Sequence, residues 1–413
     1  MLDRKSELEF YKKELYDSVL PFWEKYTKDT EYGGVFTCFS NNGGEMLSED
    51  KYIWSQGRML FVLARILKNA AIDEKRLDEL SALADKTCEF LMRCARLESG
   101  NCVFLTDREG NHKLSGGVLD ASFYADCFVI LGTAEYAAYK KDYDALAFSL
   151  DLYLHTRERV ATGDLRTDPY PVPSGYRTHG ITMIMTNTAR TLADAMDLLC
   201  HPDAAVISMQ AYEYAKDTLD SFTDENDILH EMVRLDGKFD TDSQIGRYVN
   251  PGHTIEDCWF MESEFVKYSD NERYEKTKRV LKNALRLGWD AEYGGIRLFA
   301  DMDGGAPHGT VPDPTEPMLK KTTDDNGSKL WWVHSEALYS TLLFGADDEI
   351  FAWYDKIREY TFKTFPNKEN DRGEWIQIRA RDGKPENRVV ALPVKDPFHI
   401  MRNMLLIIEL LEK

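Results

Sequence analysis

The 413 residues contain no run of lysine and arginine, and the formal net charge is −20. Nucleic acid needs a basic face to meet its phosphates, so it is excluded as a partner. No apolar stretch approaches the roughly 18 residues that a membrane span requires. Cysteine is sparse: seven residues, at 38, 88, 94, 102, 127, 200 and 258, with no C-x-x-C among them. That spacing supports neither a disulfide framework nor a zinc module. G-x-x-x-x-G-K-[ST] is absent, as is G-x-G-x-x-G after a strand, so neither a phosphate loop nor a dinucleotide fold is expected. No H-E-x-x-H or similar spacing points to a metal, and no G-x-S-x-G elbow offers a serine nucleophile. The first twenty residues, MLDRKSELEFYKKELYDSVL, are dense in charge where a leader peptide would be apolar. A soluble cytoplasmic protein is therefore expected.

What remains suits a large folded core: 43% hydrophobic and 12% aromatic residues. Helical periodicity recurs in pairs. WSQGRMLFVLARILKNA precedes KRLDELSALADKTCEFLMRCARL, and three similar pairs follow before LWWVHSEALYSTLLFG and DDEIFAWYDKIREYTFKTF. The C-terminal PFHIMRNMLLIIELLEK is single unless the N-terminal helix partners it. Twelve helices in six hairpins are predicted. Between the pairs lie hairpin signals such as NCVFLTDREGNHKL, MVRLDGKFD, GGIRLFADMDGG and EWIQIRARDGK. They recur at roughly 65-residue intervals, which fits a repeat. Two stretches share wording, DTEYGGVF at 29–36 and DAEYGGIR at 290–297. The expected architecture is all-α, an (α/α)6 barrel with short β-hairpins in its connections, spanning residues 1–413 as one catalytic domain. A linear solenoid is the rival, and the two unpaired terminal helices favour closure.

In such a barrel the inner helices run the same way, so their first turns meet at one end of a cavity. Those turns carry unusual residues: Tyr52, Trp54 and Arg58; His179 and Met183; His253 and Glu256; Trp332, His334 and Glu336; His399 and Arg402. Four of only nine histidines fall there. A histidine at a helix start also serves as a cap, and the tryptophans also serve as core. In NPGHTIEDCWF, Thr254 and Asp257 form a candidate capping box, and Glu256 lies one turn from His253. His112, His155, His201, His230 and His308 lie in charged or loop contexts and are expected to be surface or loop residues. Imidazoles work near neutral pH and arginine stabilises a developing oxyanion, so the set suits proton transfer beside a carbonyl.

At this point the chain resembles the N-acylglucosamine 2-epimerase family, along EYGGVFTCFSNNG…KYIWSQGR, NPGHTIEDCWF, SKLWWVHSEAL, YTFKTFPNKENDRGEWIQIRARDGK and PFHIMR. The resemblance implies an (α/α)6 barrel and catalysis by His253 and His399, with Arg58 near the reactive end of the sugar and Glu256 in support. Tyr52, Trp54, His179, Trp332, His334, Glu336 and Arg402 become candidate substrate contacts. Cellobiose 2-epimerases and aldose–ketose isomerases carry N-x-x-x-H early in the third inner helix, where this chain reads His179-x-x-x-Met183. That departure and W-W-x-H-x-E favour a monosaccharide 2-epimerase acting on N-acyl-D-glucosamine. An aldose–ketose isomerase, such as a mannose isomerase, and a cellobiose or mannobiose 2-epimerase are the alternatives. A glycoside hydrolase would need two opposed carboxylates, and a binding protein would need neither histidine. The resemblance implies no cofactor or metal for the chemistry, ATP as an activator, and a homodimer.

Overall fold

The structure, a computed structural model, describes residues 3–68 and 72–413. Six inner helices, Ile53–Lys68, Tyr124–Lys140, His179–Leu198, Pro251–Lys267, Trp331–Leu343 and Phe398–Glu412, each pack on the next, and the sixth returns to the first. Each is backed by an outer helix: Glu74–Cys94, Tyr143–Thr162, Ala204–Phe222, Asn271–Gly288 and Asp348–Thr364 for the first five. The sixth is backed by Arg4–Lys13, so the two chain ends complete the last hairpin. The ring is an (α/α)6 barrel. The expected first inner helix ran to Ala70, but Asn69 and Ala70 lie outside the described residues. The N-terminal outer helix continues from Arg4–Lys13 through a π-helical stretch, Glu14–Val19, into Leu20–Tyr26. Short helices at Gln244–Arg247 and Pro317–Asp324 add to the twelve expected.

The inner helices are apolar on almost every face because they pack on two neighbours and a backing helix. Where the first two cross, only glycine fits. A Cβ on Gly57 would lie 2.2 Å from the Phe128 carbonyl oxygen, and one on Gly132 would lie 2.4 Å from that of Gly57. Backbone contact at this point sets the depth at which Arg58, the next residue, enters the ring.

The hairpin expectation needs correction. Leu105–Thr106 and His112–Lys113 do form a local hairpin, and isolated bridges join Phe39 to Met46 and Arg379 to Pro385. The other strands reach across. Met232–Arg234 pairs with Tyr176–Thr178, Ala300–Asp301 with Tyr248–Val249, and Ile378–Arg379 with Lys329–Leu330. Lys51–Tyr52 pairs likewise with Leu105–Thr106. Four inner helices are thus introduced by a short strand, held by the loop after their own backing helix. These ladders fix the direction in which each first turn faces the cavity.

The shared wording at 29–36 and 290–297 marks one structural device used twice. Asp29 and Asp290 each cap their own turn through a side-chain oxygen. Each is wholly buried and takes a buried lysine, Lys51 at 2.8 Å and Lys329 at 3.1 Å. Each also binds an arginine, Arg108 or Arg381. The lysines sit in the strands Lys51–Tyr52 and Lys329–Leu330, which lead into the first and fifth inner helices. KYIWSQGR and KLWWVHSE are therefore equivalent: Trp54 matches Trp332, Gln56 matches His334, and Arg58 matches Glu336. The equivalence extends to a hydrogen bond. Val35 N–H donates to Gln56 Oε1 at 2.8 Å, and Ile296 N–H donates to His334 Nε2 at 3.0 Å.

Candidate active site

A cavity of about 220 Å³ opens at the N-terminal ends of the inner helices. First turns of all six reach it, through residues such as Arg58, Phe128, Met183, His253, Trp332 and His399. Loops supply Tyr170, Phe299 and the stretch from Val390 to Asp396. The wall is largely aromatic and aliphatic, with Arg58, His253, Glu256, His399 and Arg402 on the helices and Asp168, Glu231 and Asp396 on the loops.

His253 stands at the start of the fourth inner helix. Its backbone N–H donates to Asn250 Oδ1 at 3.2 Å, so Asn250 is the cap. The capping box expected of Thr254 and Asp257 does not form: Pro251 takes the first helical position, which moves the helix start upstream. Gly252 is required because a Cβ there would lie 2.5 Å from the Trp332 ring. His253 Nδ1 lies 3.1 and 3.2 Å from the two oxygens of Glu231. A carboxylate only accepts, so Nδ1 carries the proton and Nε2 is the free ring atom. Burial opposes the imidazolium, yet Glu231 outweighs it and the His253 pKa moves up. Glu231 makes the hydrogen bonds to the ring, and Glu256 adds a smaller pull that also raises the His253 pKa.

His399 follows the same plan. Its Nδ1 donates to Glu336 Oε1 at 2.7 Å. Arg402 binds that carboxylate as well and donates to Glu256 Oε1 at 2.5 Å. Trp259 Nε1 donates to Glu336 Oε2 at 2.9 Å. Burial raises the Glu336 pKa, but Arg402 and His399 prevail and hold it below the ordinary carboxylate range. Trp332 stands between the two histidines, 5.3 Å from the His253 ring and 5.6 Å from that of His399. Arg58 donates to Asp396 Oδ1 at 3.1 Å and lies 4.0 Å from the Phe128 ring centroid. Asp396 also accepts the His399 backbone N–H at 3.0 Å and Trp331 Nε1 at 3.3 Å. Two imidazoles, each oriented by a carboxylate, and one arginine share the cavity wall. Such a set can remove a proton, hold an oxyanion and return a proton.

Comparison with known proteins identifies the family. The profile described as N-acylglucosamine 2-epimerase (GlcNAc 2-epimerase) matches residues 34–402. The chain belongs to that family. N-acylglucosamine 2-epimerases of Mus musculus and Homo sapiens are each 27% identical to it, covering 94% and 96% of this chain and 87% and 88% of their own. The solved cellobiose 2-epimerase of Bacillus thermoamylovorans B4167 has a TM-score of 0.75 at 17% identity, covering 98% of this chain and 99% of its own. A solved D-mannose isomerase has a TM-score of 0.74 at 21% identity, covering 98% of each chain. These two likenesses establish the shared fold.

Within this epimerase-family cavity, Trp54, Arg58, His253, Glu256, Trp332, His399 and Arg402 reach the wall. Glu336 acts from behind it, through His399 and Arg402. Three expectations are corrected. Tyr52 pairs in a strand and packs edge-on against Phe104, away from the cavity. His334 is wholly buried between the Leu330 carbonyl, 2.7 Å from Nδ1, and the Ile296 amide. Burial lowers its pKa to about 3, so it stays neutral, a structural counterpart of Gln56. His179 is wholly buried beside Glu231, its Nδ1 3.3 Å from Oε2, and does not line the cavity. Burial lowers its pKa to about 4 despite that carboxylate. His230, expected in a surface or loop role, is also buried, held by Gly246 and Asp224. The sequence reading missed Glu231 and Asp396. Asp396 carried a signal, an Asp just before a Pro-started helix. Glu231 carried none, since its partner is 22 residues away on another element.

Proposed function

We propose that the protein is a sugar 2-epimerase interconverting N-acyl-D-glucosamine and N-acyl-D-mannosamine. The observation that carries the reading is the pair of carboxylate-anchored histidines flanking Trp332 in one cavity with Arg58. The open-chain aldehyde is the reacting form, because its carbonyl acidifies the C2 proton. One Nε2 removes that proton, and the electron pair moves onto the C1 carbonyl oxygen as an enolate, which Arg58 stabilises. The other histidine returns a proton to the opposite face of C2. Glu231 and Glu336 hold each ring in the required tautomer and stabilise the imidazolium formed in turn, the role a buried carboxylate has beside a catalytic histidine. Trp332 and Trp54 offer faces for the apolar side of the sugar. Tyr248 lines the cavity, and its hydroxyl is buried with no hydrogen-bond partner among the described residues, which suits a sugar hydroxyl. Met183 reaches the wall where cellobiose 2-epimerases and aldose–ketose isomerases have histidine, and His179 does not, which supports the N-acyl-D-glucosamine reading over both of those.

Proton NMR in D2O with N-acetylglucosamine tests this. The C2 proton signal should disappear as N-acetylmannosamine accumulates, and His253→Asn and His399→Asn should each stop net conversion. Fructose forming from mannose, with the amino sugar untouched, would overturn the reading. The chemistry proposed needs no redox cofactor or metal. Repeating the assay with ATP tests activation, and sedimentation tests the homodimer. Among the described residues no helix is long and apolar enough to cross a membrane.

A further inference from the structure

No metal-ligand spacing is visible in the sequence, yet the fold gathers one. The third inner helix contributes His179, the bend just before the strand Met232–Arg234 contributes Glu231, and the fourth inner helix contributes His253. We infer that these three residues bind one divalent transition-metal ion of the zinc type, and that its binding silences His253.

The donor atoms of the three all lie within 4.8 Å of one another. Glu231 Oε2 is 3.2 Å from His253 Nδ1 and 3.3 Å from His179 Nδ1. Ligands about 2.1 Å from a tetrahedral zinc are roughly 3.4 Å apart, so both contacts already have the spacing of neighbouring ligands. His179 gives a second, independent indication. It is wholly buried, and neither ring nitrogen has a hydrogen-bond partner. Buried polar groups are ordinarily satisfied. Two imidazoles and a carboxylate suit zinc or cobalt, and Glu231 and His253 line the cavity, which leaves a coordination position open to water.

The other acidic cluster makes an instructive contrast. Glu256, Glu336 and His399 are equally close, but the Arg402 guanidinium binds both carboxylates and already fills the cation position. Among the described residues, no lysine or arginine forms an ion pair with Glu231. On binding, the Nδ1 proton of His253 passes by way of water to Nε2, and the Nδ1 lone pair goes to the metal, so Nε2 is protonated and no free lone pair remains on the ring. The ring then cannot cycle between imidazole and imidazolium. This site is inhibitory, distinct from the metal-free proton transfer proposed above, and only its effect on turnover rests on that reading.

The test uses the full chain carrying Cys200→Ser, because Cys200 is the one exposed cysteine and adjoins His201. Co2+ is titrated by visible absorption, and Zn2+ then competes in calorimetry. One equivalent should bind with nitrogen–oxygen ligand-field bands and no thiolate band. His179→Phe and Glu231→Gln should each weaken binding more than about tenfold, the scale on which even outer partners of a metal site matter. Zn2+ should also stop turnover, and a chelator should restore it. Absence of one-equivalent binding, or binding unchanged in both variants, would overturn the site. If His179→Phe fails to fold, Glu231→Gln decides alone. One-equivalent binding lost in the variants, in a protein inactive on every sugar, would keep the site and sink the epimerase reading.

Discussion

Gln56 and His334 do one job with different chemistry: each accepts an amide N–H from the turn that follows a Gly-Gly pair. His334→Gln should therefore keep the melting temperature and the activity close to those of the parent protein. His334→Ala should lose about 1–3 kcal/mol, because the Ile296 amide is left buried and unpaired; urea unfolding of the two variants checks both. Glu336 is the opposite case, equivalent in position to Arg58 yet bound to His399, one of the two proposed acid/base groups. Glu336→Gln should lower kcat at least about a hundredfold with little change in KM, since it loosens the tautomer of His399 rather than sugar binding. Steady-state kinetics on N-acetylglucosamine read the split. His253, His399 and Arg58 were legible because each sits in a first turn after a distinctive start. The support for each ring was not, because Glu231 and Glu336 come from other elements.

The working element is a strand of two or three residues running straight into an inner helix. Inner helices were readable by their 3.6-residue period, while strands that short leave no alternation to detect. Their partners lie across a backing helix, so local hairpin signals pointed to the wrong pairing. The Pro251-Gly252 start of the fourth inner helix shows what such a junction does. Pro251 presets the first helical residue, and Gly252 makes room for Trp332. Gly252→Ala should displace Trp332 and with it the spacing of the two histidines. A loss of kcat/KM of about tenfold or more is expected, with the far-UV circular dichroism spectrum unchanged, as befits a small misplacement at a reacting centre. A normal kcat/KM would mean that Trp332 has no part in positioning.

At the scale of the molecule, two equivalent buried ion pairs brace the first and fifth stations of the ring, Lys51–Asp29 and Lys329–Asp290. Burial raises the Asp29 pKa, but Arg108 and Lys51 outweigh it and bring it to about 2. A carboxylate held below its unfolded value near 3.8 adds stability that is complete above that value and lost as the pH falls towards 2. The melting temperature should thus fall steeply below pH 4. Asp29→Asn should be less stable at pH 7, since a buried lysine loses its partner, and should show a shallower acid limb. Thermal scans between pH 7 and pH 3 measure both slopes.

The sequence by itself determined the helical hairpins, the ring they close and the end of the ring at which chemistry collects. Helical period, glycine and proline at helix starts, and two unpaired terminal helices are all local or additive signals. Only the tertiary structure decided which carboxylate orients which histidine, that His334 braces a turn, and that His179 meets Glu231 and His253. Those are contacts between side chains on different elements. Their distances depend on how the helices cross, as at Gly57 and Gly132, and no spacing along the chain encodes that.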